Sequence, residues 1–281
     1  MSEPQTLLTG LMIGESPRWH DGRLWFSNWG AQEILAVDSA GNSQVMVRVP
    51  TTIPFCFDWL PDGRLLVVSG PEARLLRQQP DGSLVTHAGL SHLAKGWNEI
   101  VVDGRGNSYV NGSDFEFRAG AEFIPGVIAL VTPGGTVRQV ADGIAFPNGM
   151  VVTPDNRTLI VAESFAGKLT AFDIAADGSL ANRRVWADLG QGGDGICLDA
   201  EGAIWTSTAN TVVRVREGGQ VLQRIELDRF CFACMLGGED GTTLFMLAAE
   251  WHGVENMGAL LQSRTGRVLT APAPASRAGW P

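Results

Sequence analysis

Residues 194–207 read Asp194-Gly-Ile-Cys-Leu-Asp-Ala-Glu-Gly-Ala-Ile-Trp-Thr-Ser207, and this stretch decides the fold because its pattern recurs along the chain. A short oxygen-bearing side chain comes first, an apolar run follows, and a tight turn at Gly202 leads into a second apolar run. Equivalent turn residues occur six times, at spacings of 39–50 residues: Gly22, Gly63, Gly106, Asn156, Gly202 and Gly241. Repeats of this length with turn punctuation indicate a solenoid or a propeller.

The runs within each repeat are short and typical of β-strands, as Arg23–Ser27 and Glu33–Asp38 illustrate in the first repeat. Asp-Gly, Asp-Asn and Gly-Gly pairs separate the runs, and such pairs favour the positive φ angles of hairpin turns. The 35 glycines and the lack of helical periodicity argue against a helical repeat. We therefore predict an all-β fold, a six-bladed β-propeller in which four-stranded sheets close around an axis.

The whole chain, residues 1–281, is predicted to form one propeller domain, with six repeats spanning about 14–267. A strand at Gln5–Thr9 is expected to complete the last blade as a latch, and Ala259–Ser263 is expected to be a strand of that blade. The Pro- and Ala-rich tail Ala271–Pro281 should be extended over the surface. An insertion at Ser113–Ile124 lengthens the third repeat, and long connections in compact domains often serve function.

Composition excludes several classes of function. The formal net charge is −9 and no basic stripe is present, so we predict no nucleic-acid partner. No run of about 18 apolar residues occurs, which predicts that no segment spans a membrane. The N-terminal residues lack the positive region and apolar stretch of a signal peptide, so a cytoplasmic protein is expected. Nothing in the sequence indicates the oligomeric state.

The four cysteines are Cys56, Cys197, Cys231 and Cys234, and all lie within apolar runs. Cys231 and Cys234 have CxxC spacing, but no second pair is available for zinc, and no strand-to-helix context supports a redox motif. Because unpaired cysteine is among the most buried residue types, we predict buried free thiols.

The positions seven or eight residues before each turn form an equivalent set, which consists of Glu15, Cys56, Asn98, Asn148, Asp194 and Ala233. Equivalent positions in a closed ring of repeats share one height and radius, so the four oxygen-bearing members should meet at the axis. Carboxylate and carboxamide oxygens suit Ca²⁺, Mg²⁺ and Mn²⁺, which predicts a metal site on the central axis. The alternative is that Asn148-Gly149 and Asp194-Gly195 are ordinary turn dipeptides.

Three segments carry a resemblance to a known family, and they read Gly14-Glu15-Ser16-Pro17-Arg18-Trp19, Phe146-Pro147-Asn148-Gly149-Met150 and Gly193-Asp194-Gly195. With Thr153-Pro154-Asp155, they resemble the signature segments of the SMP-30/gluconolactonase/LRE family, and the likeness runs from about Gly14 to about Arg267. The resemblance implies a propeller with one catalytic divalent metal and hydrolysis of lactones by soluble enzymes. It also implies that Glu15, Asn148 and Asp194 bind the metal, that Asn98 binds metal or substrate, and that Asp194 is the base.

The physical requirements of lactone hydrolysis agree with this assignment. A cation polarises the carbonyl and stabilises the oxyanion, and a neighbouring carboxylate, Asp194, accepts a proton from water. Ca²⁺ is the first choice for the cation, with Mn²⁺, Zn²⁺, Fe²⁺ and Mg²⁺ as alternatives. Two rival functions stay open: another ester or phosphotriester hydrolase on the same scaffold, and a propeller that serves as a non-enzymatic binding platform.

The predicted substrate pocket is apolar. Phe55, Trp97 and Phe146 stand beside ring positions, and Gly96 occupies the place where some relatives of the family carry a substrate-binding Arg. A small lactone more apolar than a sugar is therefore expected as the substrate. Asp114, in the third-repeat insertion, and His252, after the last repeat, are further substrate-binding candidates, with solvent-exposed positions as the alternative for both.

Overall fold

The computed structural model describes residues 3–116, 118 and 120–280, and these residues form six antiparallel sheets. From blade 2 to blade 6, the innermost strands of neighbouring sheets contact each other, and those of the first and last sheets also meet. Blades 1 and 2 are linked by the Phe57 N–H, which donates to Ser16 Oγ at 3.3 Å. The ring is therefore closed, and the predicted six-bladed β-propeller is confirmed. Among the described residues, no helix is long and apolar enough to cross a membrane.

The strands of the first three blades follow the N-terminal strand in chain order. They are β1 (Gln5–Leu11), then β2 (Gly14–His20), β3 (Arg23–Asn28), β4 (Glu33–Val37) and β5 (Ser43–Arg48) of blade 1, β6 (Phe57–Trp59), β7 (Leu65–Ser69), β8 (Arg74–Gln78) and β9 (Leu84–Gly89) of blade 2, and β10 (Gly96–Val102), β11 (Ser108–Ser113), β12 (Gly126–Val131) and β13 (Val137–Ile144) of blade 3.

The remaining strands build blades 4 to 6 and the C-terminal segment. They are β14 (Pro147–Val152), β15 (Thr158–Glu163), β16 (Lys168–Ile174) and β17 (Leu180–Asp188) of blade 4, β18 (Ile196–Asp199), β19 (Ile204–Thr208), β20 (Thr211–Val215) and β21 (Val221–Glu226) of blade 5, β22 (Phe230–Gly237), β23 (Thr243–Ala249) and β24 (Gly266–Pro272) of blade 6, and β25 (Arg277–Ala278). In the part of the chain that the structure describes, the helical segments are two 3₁₀ turns, Trp29–Ala31 and Val254–Asn256, and the helix α1 (Met257–Leu260).

The six turn residues identified in the sequence all adopt positive φ, between 57° and 84°. Each joins the innermost strand of a blade to the second strand. The blade 5 turn is further fixed by Asp199, whose Oδ1 accepts hydrogen bonds from the Glu201 and Ala203 backbone N–H groups at 2.9 and 3.0 Å. Glycine dominates these positions because it adopts positive φ without steric conflict, and Asn156 is the one side chain that replaces it.

Strand pairing holds the first and last segments of the described residues. β1 is the outermost strand of blade 6, where it pairs antiparallel with β24. The C-terminal tail contributes its first residues to β24, and β25 then pairs with β18, the innermost strand of blade 5. Trp280 and Val152 exchange two backbone hydrogen bonds of 2.8 Å, so the tail also contacts blade 4. Pro281, the end of the predicted tail, lies outside the described residues.

The strand predicted at Ala259–Ser263 is wrong. These residues overlap α1, and the Ser263 N–H donates to the Ala259 carbonyl at 2.9 Å as in a helical turn. Leu260 is the buried side chain of the segment, where it packs with Ile13 and Phe232. The third strand of blade 6 is instead β24, which pairs with β23 over Thr243–Ala248. A strand inside a blade needs several buried side chains, whereas Ala259–Ser263 has only Leu260 buried.

The core lies between the blades. One apolar cluster joins Phe26 of blade 1, Trp205 of blade 5 and Phe245 of blade 6, and a second joins Val68 of blade 2 with Val110 of blade 3. All four cysteines are free and buried, as the sequence predicted. The close packing around the axis depends on two glycines that follow ring positions.

Gly149 and Gly195 allow adjacent inner strands to approach closely. The Gly149 N–H donates to the Asp194 carbonyl at 3.2 Å, and the Gly195 N–H donates to the Phe232 carbonyl at 3.0 Å. A Cβ atom on Gly195 would lie 2.6 Å from the Ala233 Cβ, and one on Gly149 would lie 2.6 Å from the Ile196 nitrogen. Gly149 and Gly195 therefore allow close contact between blades. The alternative interpretation had placed them in ordinary turns.

We expect Gly195→Ala to lower the free energy of unfolding by about 1–3 kcal/mol, because overpacking a close contact has that effect. Chemical denaturation measures the change. Gly89→Ala is the matched control, because a Cβ at Gly89 meets nothing within 4 Å. Equal stability of Gly195→Ala and the control would contradict the packing role.

Candidate active site

The inner strands carry β-bulges at the ring positions. The pairing register shifts between Glu15 and Arg18 in β2, between Trp97 and Ile100 in β10, and between Pro147 and Met150 in β14. A bulge inserts an extra residue and redirects the side chains at that point of a strand. In β2 the bulge includes Ser16, whose φ is 52° and whose N–H donates to Glu15 Oε2 at 3.0 Å.

The four predicted oxygen ligands line one cavity of about 670 Å³, in which Glu15, Asn98, Asn148 and Asp194 come from blades 1, 3, 4 and 5. A side-chain hydrogen bond links Asn148 to Asp194, and the negative charge of Asp194 acts on Glu15. The structure thus brings together residues that are separated by up to about 180 positions in the sequence. The remaining ring positions, Cys56 and Ala233, are buried and apolar.

Glu15 is buried, and Asp194 lies partly buried beside it in the same cavity. Burial raises the pKa of Glu15 well above its usual value, and the negative charges of Asp194 and Glu99 raise it further. The pKa of Asp194 rises to about 8, first because of burial and then because of Glu99, against a lowering effect of the Asn148 hydrogen bond. Two buried like-charged carboxylates are unfavourable unless a cation compensates them.

Arg18 does not fill the role of that cation. Its Nη2 lies 3.3 Å from Glu99 Oε2 and 2.6 Å from the Ile100 carbonyl, and its Nε lies 3.8 Å from Asp58 Oδ1. Within the described part of the chain, neither Glu15 nor Asp194 forms an ion pair with a basic side chain. The donor set of two carboxylates and two carboxamides fits a hard divalent cation.

His, Cys, Asp and Glu side chains alone do not define this site. Over residues 3–116, 118 and 120–280, no three of these side chains form a group that could hold a metal ion. A cation bound between Glu15 and Asp194 would therefore depend on the oxygens of Asn98 and Asn148 as well. This mixed donor set follows from the repeat register and not from a compact metal-binding motif.

Sequence reasoning missed the polar groups that support the ring. Asn111 is fully buried, and its carboxamide accepts from the Glu99 N–H at 3.1 Å and donates to the Asn148 carbonyl at 2.7 Å. Ser164 Oγ donates to the Gly193 carbonyl at 2.7 Å and lies 3.4 Å from Asn148 Nδ2. Directing the amide nitrogen toward Ser164 leaves the Asn148 oxygen available to a cation. Asn111 lies five residues after the turn residue Gly106. Comparing the residues at this position of each repeat could have identified it.

The substrate-binding candidates divide into two groups. Trp97 and Phe146 line the cavity, as does Asn98. The prediction for Phe55 is corrected by the structure, because its side chain is fully buried in an apolar cluster between blades 1 and 2. Its backbone carbonyl accepts a hydrogen bond from Trp29 Nε1 at 2.8 Å.

Asp114 and His252 also lie outside the cavity lining. Asp114 is exposed, and its Oδ1 accepts a hydrogen bond from the Lys95 N–H at 2.8 Å. The His252 side chain is 70% exposed and its Nε2 lies 3.9 Å from Glu250 Oε2. Both positions correspond to the solvent-exposed alternative. The predicted insertion contributes Ser113 and Phe115 to the cavity instead, while its residues Phe117 and Ala119 lie outside the described residues.

A sequence model of the SMP-30/gluconolactonase/LRE-like region matches residues 13–250. The match covers most of the chain and all of the ring positions, so the chain belongs to this family. The resemblance noted in the signature segments is thereby confirmed.

Individual relatives agree with the family assignment. The chain is 25% identical to regucalcin from Xenopus laevis over 285 residues, which covers 95% of each protein. A solved structure of luciferin-regenerating enzyme superposes with a TM-score of 0.82 at 16% identity and covers 98% of each chain. A calcium-binding regucalcin from Agrobacterium tumefaciens superposes with a TM-score of 0.75 at 22% identity, over 99% of this chain and 95% of the other. At these identities the solved structures support the fold.

Proposed function

We propose that the protein is a metal-dependent lactonase. The observation that carries this proposal is the pair of carboxylates, Glu15 and Asp194, which line one cavity with two carboxamides and which, among the described residues, form no ion pair with a basic side chain. Membership of a family whose description includes gluconolactonase supports the same reaction class. A cation bound there would polarise the lactone carbonyl and stabilise the negative charge that develops on its oxygen.

Asp194 is the proposed general base. Its carboxylate takes a proton from water while the water oxygen forms a bond to the carbonyl carbon. The ring C–O bond then breaks, and the proton passes from Asp194 to the departing alkoxide, which remains attached to the hydroxy acid product. Asn148 orients Asp194 through their hydrogen bond, and the ionised form of Asp194 is the reactive form.

The ion that we propose is Ca²⁺, because all donors are oxygens and because the Agrobacterium regucalcin binds calcium. Mn²⁺, Mg²⁺, Zn²⁺ and Fe²⁺ are the alternatives to compare. We further propose that a small apolar lactone is preferred to a sugar lactone, because Gly96 supplies no side chain to hold sugar hydroxyls and aromatic residues line the cavity. The cytoplasmic location predicted from the sequence stays a prediction.

Chelation and metal addition test the proposal directly. We expect chelator-treated protein to hydrolyse neither gluconolactone nor dihydrocoumarin, and one ion of the panel to restore turnover. The restored kcat/KM, divided by the rate of each lactone's uncatalysed hydrolysis, should be at least about tenfold higher for dihydrocoumarin, because an apolar pocket gains more from burying an arene than hydroxyl groups. Failure of every ion to support lactone opening would contradict the proposal, and faster hydrolysis of a phosphotriester or aryl ester would favour the rival hydrolase function.

A further inference from the structure

Among the described residues, four phenylalanines form an aromatic cluster beside the cavity on blades 3 and 4, and they are Phe115, Phe123, Phe146 and Phe165. Phe146 and Phe165 stack with ring centroids 4.5 Å apart and an interplanar angle of 9°. Phe115 meets both rings edge-on, at 5.8 and 5.6 Å. Phe115 belongs to the third-repeat insertion, and with Ser113 it lines the cavity.

The backbone holds Phe146 in this cluster against its conformational preference. Its φ is 60°, a left-handed value that is rare for a bulky residue. The Ser164 N–H donates to the Phe146 carbonyl at 3.1 Å, and the preceding N–H, of Ala145, donates to Glu163 Oε2 at 2.7 Å. Strained conformations of this kind persist at functional sites where the surrounding structure enforces them. Phe146 also stands two residues before Asn148.

Two rings of the cluster leave much of their surface in contact with solvent. Phe165 is 53% exposed and Phe123 is 42% exposed, and Ile124 beside them is also 42% exposed. Large exposed apolar side chains that adjoin a cavity indicate a ligand-binding surface more often than isolated ones do. Phe165 lines the same cavity as Asn148 and Asp194, so the surface is continuous with the proposed metal centre.

The polar groups of the cavity offer little to a hydroxylated or anionic ligand. Among the described lining residues there is no Lys, Arg or His. Trp97 Nε1 already donates to the Ala94 carbonyl at 3.0 Å, and Trp29 Nε1 to a carbonyl of blade 2. Ser113 Oγ accepts from the Phe115 N–H at 2.7 Å. A neutral ligand with an apolar ring suits such a lining better than a sugar or a phosphorylated compound.

We propose that Phe115, Phe146 and Phe165 form a subsite for an aromatic ring carried by the substrate, which is a neutral aryl lactone. This inference rests on the proposed lactonase function and adds the group that determines specificity. The aryl ring packs against the stacked pair, and the lactone ring then extends toward the part of the cavity that Asn148 and Asp194 line. Of the three phenylalanines, Phe165 contacts the ligand but does not support the proposed metal ligands. It is therefore the residue to substitute.

Activity on a lactone with an arene and on one without it tests the subsite. Each lactone is compared only between wild type and variant, because dihydrocoumarin releases a phenoxide and δ-valerolactone an alkoxide, and this difference cancels in that comparison. We expect Phe165→Ala to lower kcat/KM for dihydrocoumarin about tenfold, the loss typical of two aromatic contacts and the area they bury. For δ-valerolactone, which lacks the arene, kcat/KM should stay within about twofold. Val185→Ala is the control, because Val185 is an exposed apolar residue on the outer strand β17. An equal loss on both lactones would overturn the subsite.

Binding of a lactam that cannot be hydrolysed by this route separates the subsite from the reaction. 3,4-Dihydroquinolin-2-one has the shape of dihydrocoumarin, and calorimetry should show it binding to the metal-loaded wild type about tenfold more tightly than to Phe165→Ala. Such a difference without any lactone turnover would refute the lactonase function and keep the aromatic subsite. Equal affinity of both proteins, or no affinity in either, would overturn the subsite itself.

Discussion

Asp194→Asn is expected to lower kcat for lactone opening by about 10²–10⁴-fold, the usual contribution of a general base. The variant retains an oxygen donor and the volume of the side chain, but its carboxamide cannot accept the proton of water. Because Asn has nearly the same volume as Asp and Asp194 is only partly buried, the same variant should keep the fold. Turnover at saturating metal, measured beside circular dichroism, reports both quantities.

A matched control distinguishes the loss of a base from the loss of a charge. Asp188 lies at the exposed end of β17, where its Oδ1 accepts from the Gly190 N–H at 3.0 Å. Asp188→Asn removes the same charge from a neighbouring part of the propeller and should leave kcat within about twofold of wild type. If Asp194→Asn kept a near-native kcat at saturating metal, another group would have to be the base.

Glu15→Gln should stabilise the metal-free protein and abolish the stabilisation by metal. Burial and the charges of Asp194 and Glu99 disfavour the ionised form of Glu15 in the folded state, and the neutral amide removes that penalty. The affinity for the ion should fall at least about 100-fold, because removing one charged partner of a buried pair costs about 3–5 kcal/mol. Thermal unfolding with chelator and with added metal measures both effects.

The raised pKa values of Glu15 and Asp194 also predict how the stability of the metal-free protein changes with pH. The pKa values of Glu15 and Asp194 are raised on folding, so the folded state holds protons that the unfolded state releases. Metal-free wild type should therefore lose stability as the pH rises from about 4, where both carboxyl groups begin to ionise when unfolded, to about 8. Glu15→Gln should lose less over this range. An unchanged pH profile in Glu15→Gln would contradict the raised pKa.

The repeat register predicted most of what positions the site. Turn residues are local signals, since Gly202 and its equivalents need positive φ, and the ring positions follow from counting back from them. The bulges at Glu15, Asn98 and Asn148 could not be predicted, because they arise from pairing with the second strand of each blade. Equivalence in sequence thus fixed the location of the side chains but not the backbone geometry that directs them.

The errors share a physical origin in tertiary contacts. Phe55 stands next to ring position 56, but alternate residues near a strand start point to opposite sides, and its side chain is buried between blades 1 and 2. The segment near Leu260 contacts the rest of the protein through this one apolar side chain, which packs against Ile13 and Phe232. The apolar pattern of the segment alone did not show that it is helical. Asn111 and Ser164 escaped notice because their roles depend on hydrogen bonds to neighbouring blades.

Calorimetric titration of chelator-treated protein with Ca²⁺ tests the central claim most directly, with Mn²⁺, Mg²⁺, Zn²⁺ and Fe²⁺ titrated in parallel. Convergence of four oxygen-bearing side chains on one point predicts a single binding site per chain in the wild type. The same titration of Glu15→Gln should show that site lost or at least about 100-fold weaker. Absence of binding for every ion, or a site whose affinity Glu15→Gln leaves unchanged, would contradict a metal centre on the propeller axis.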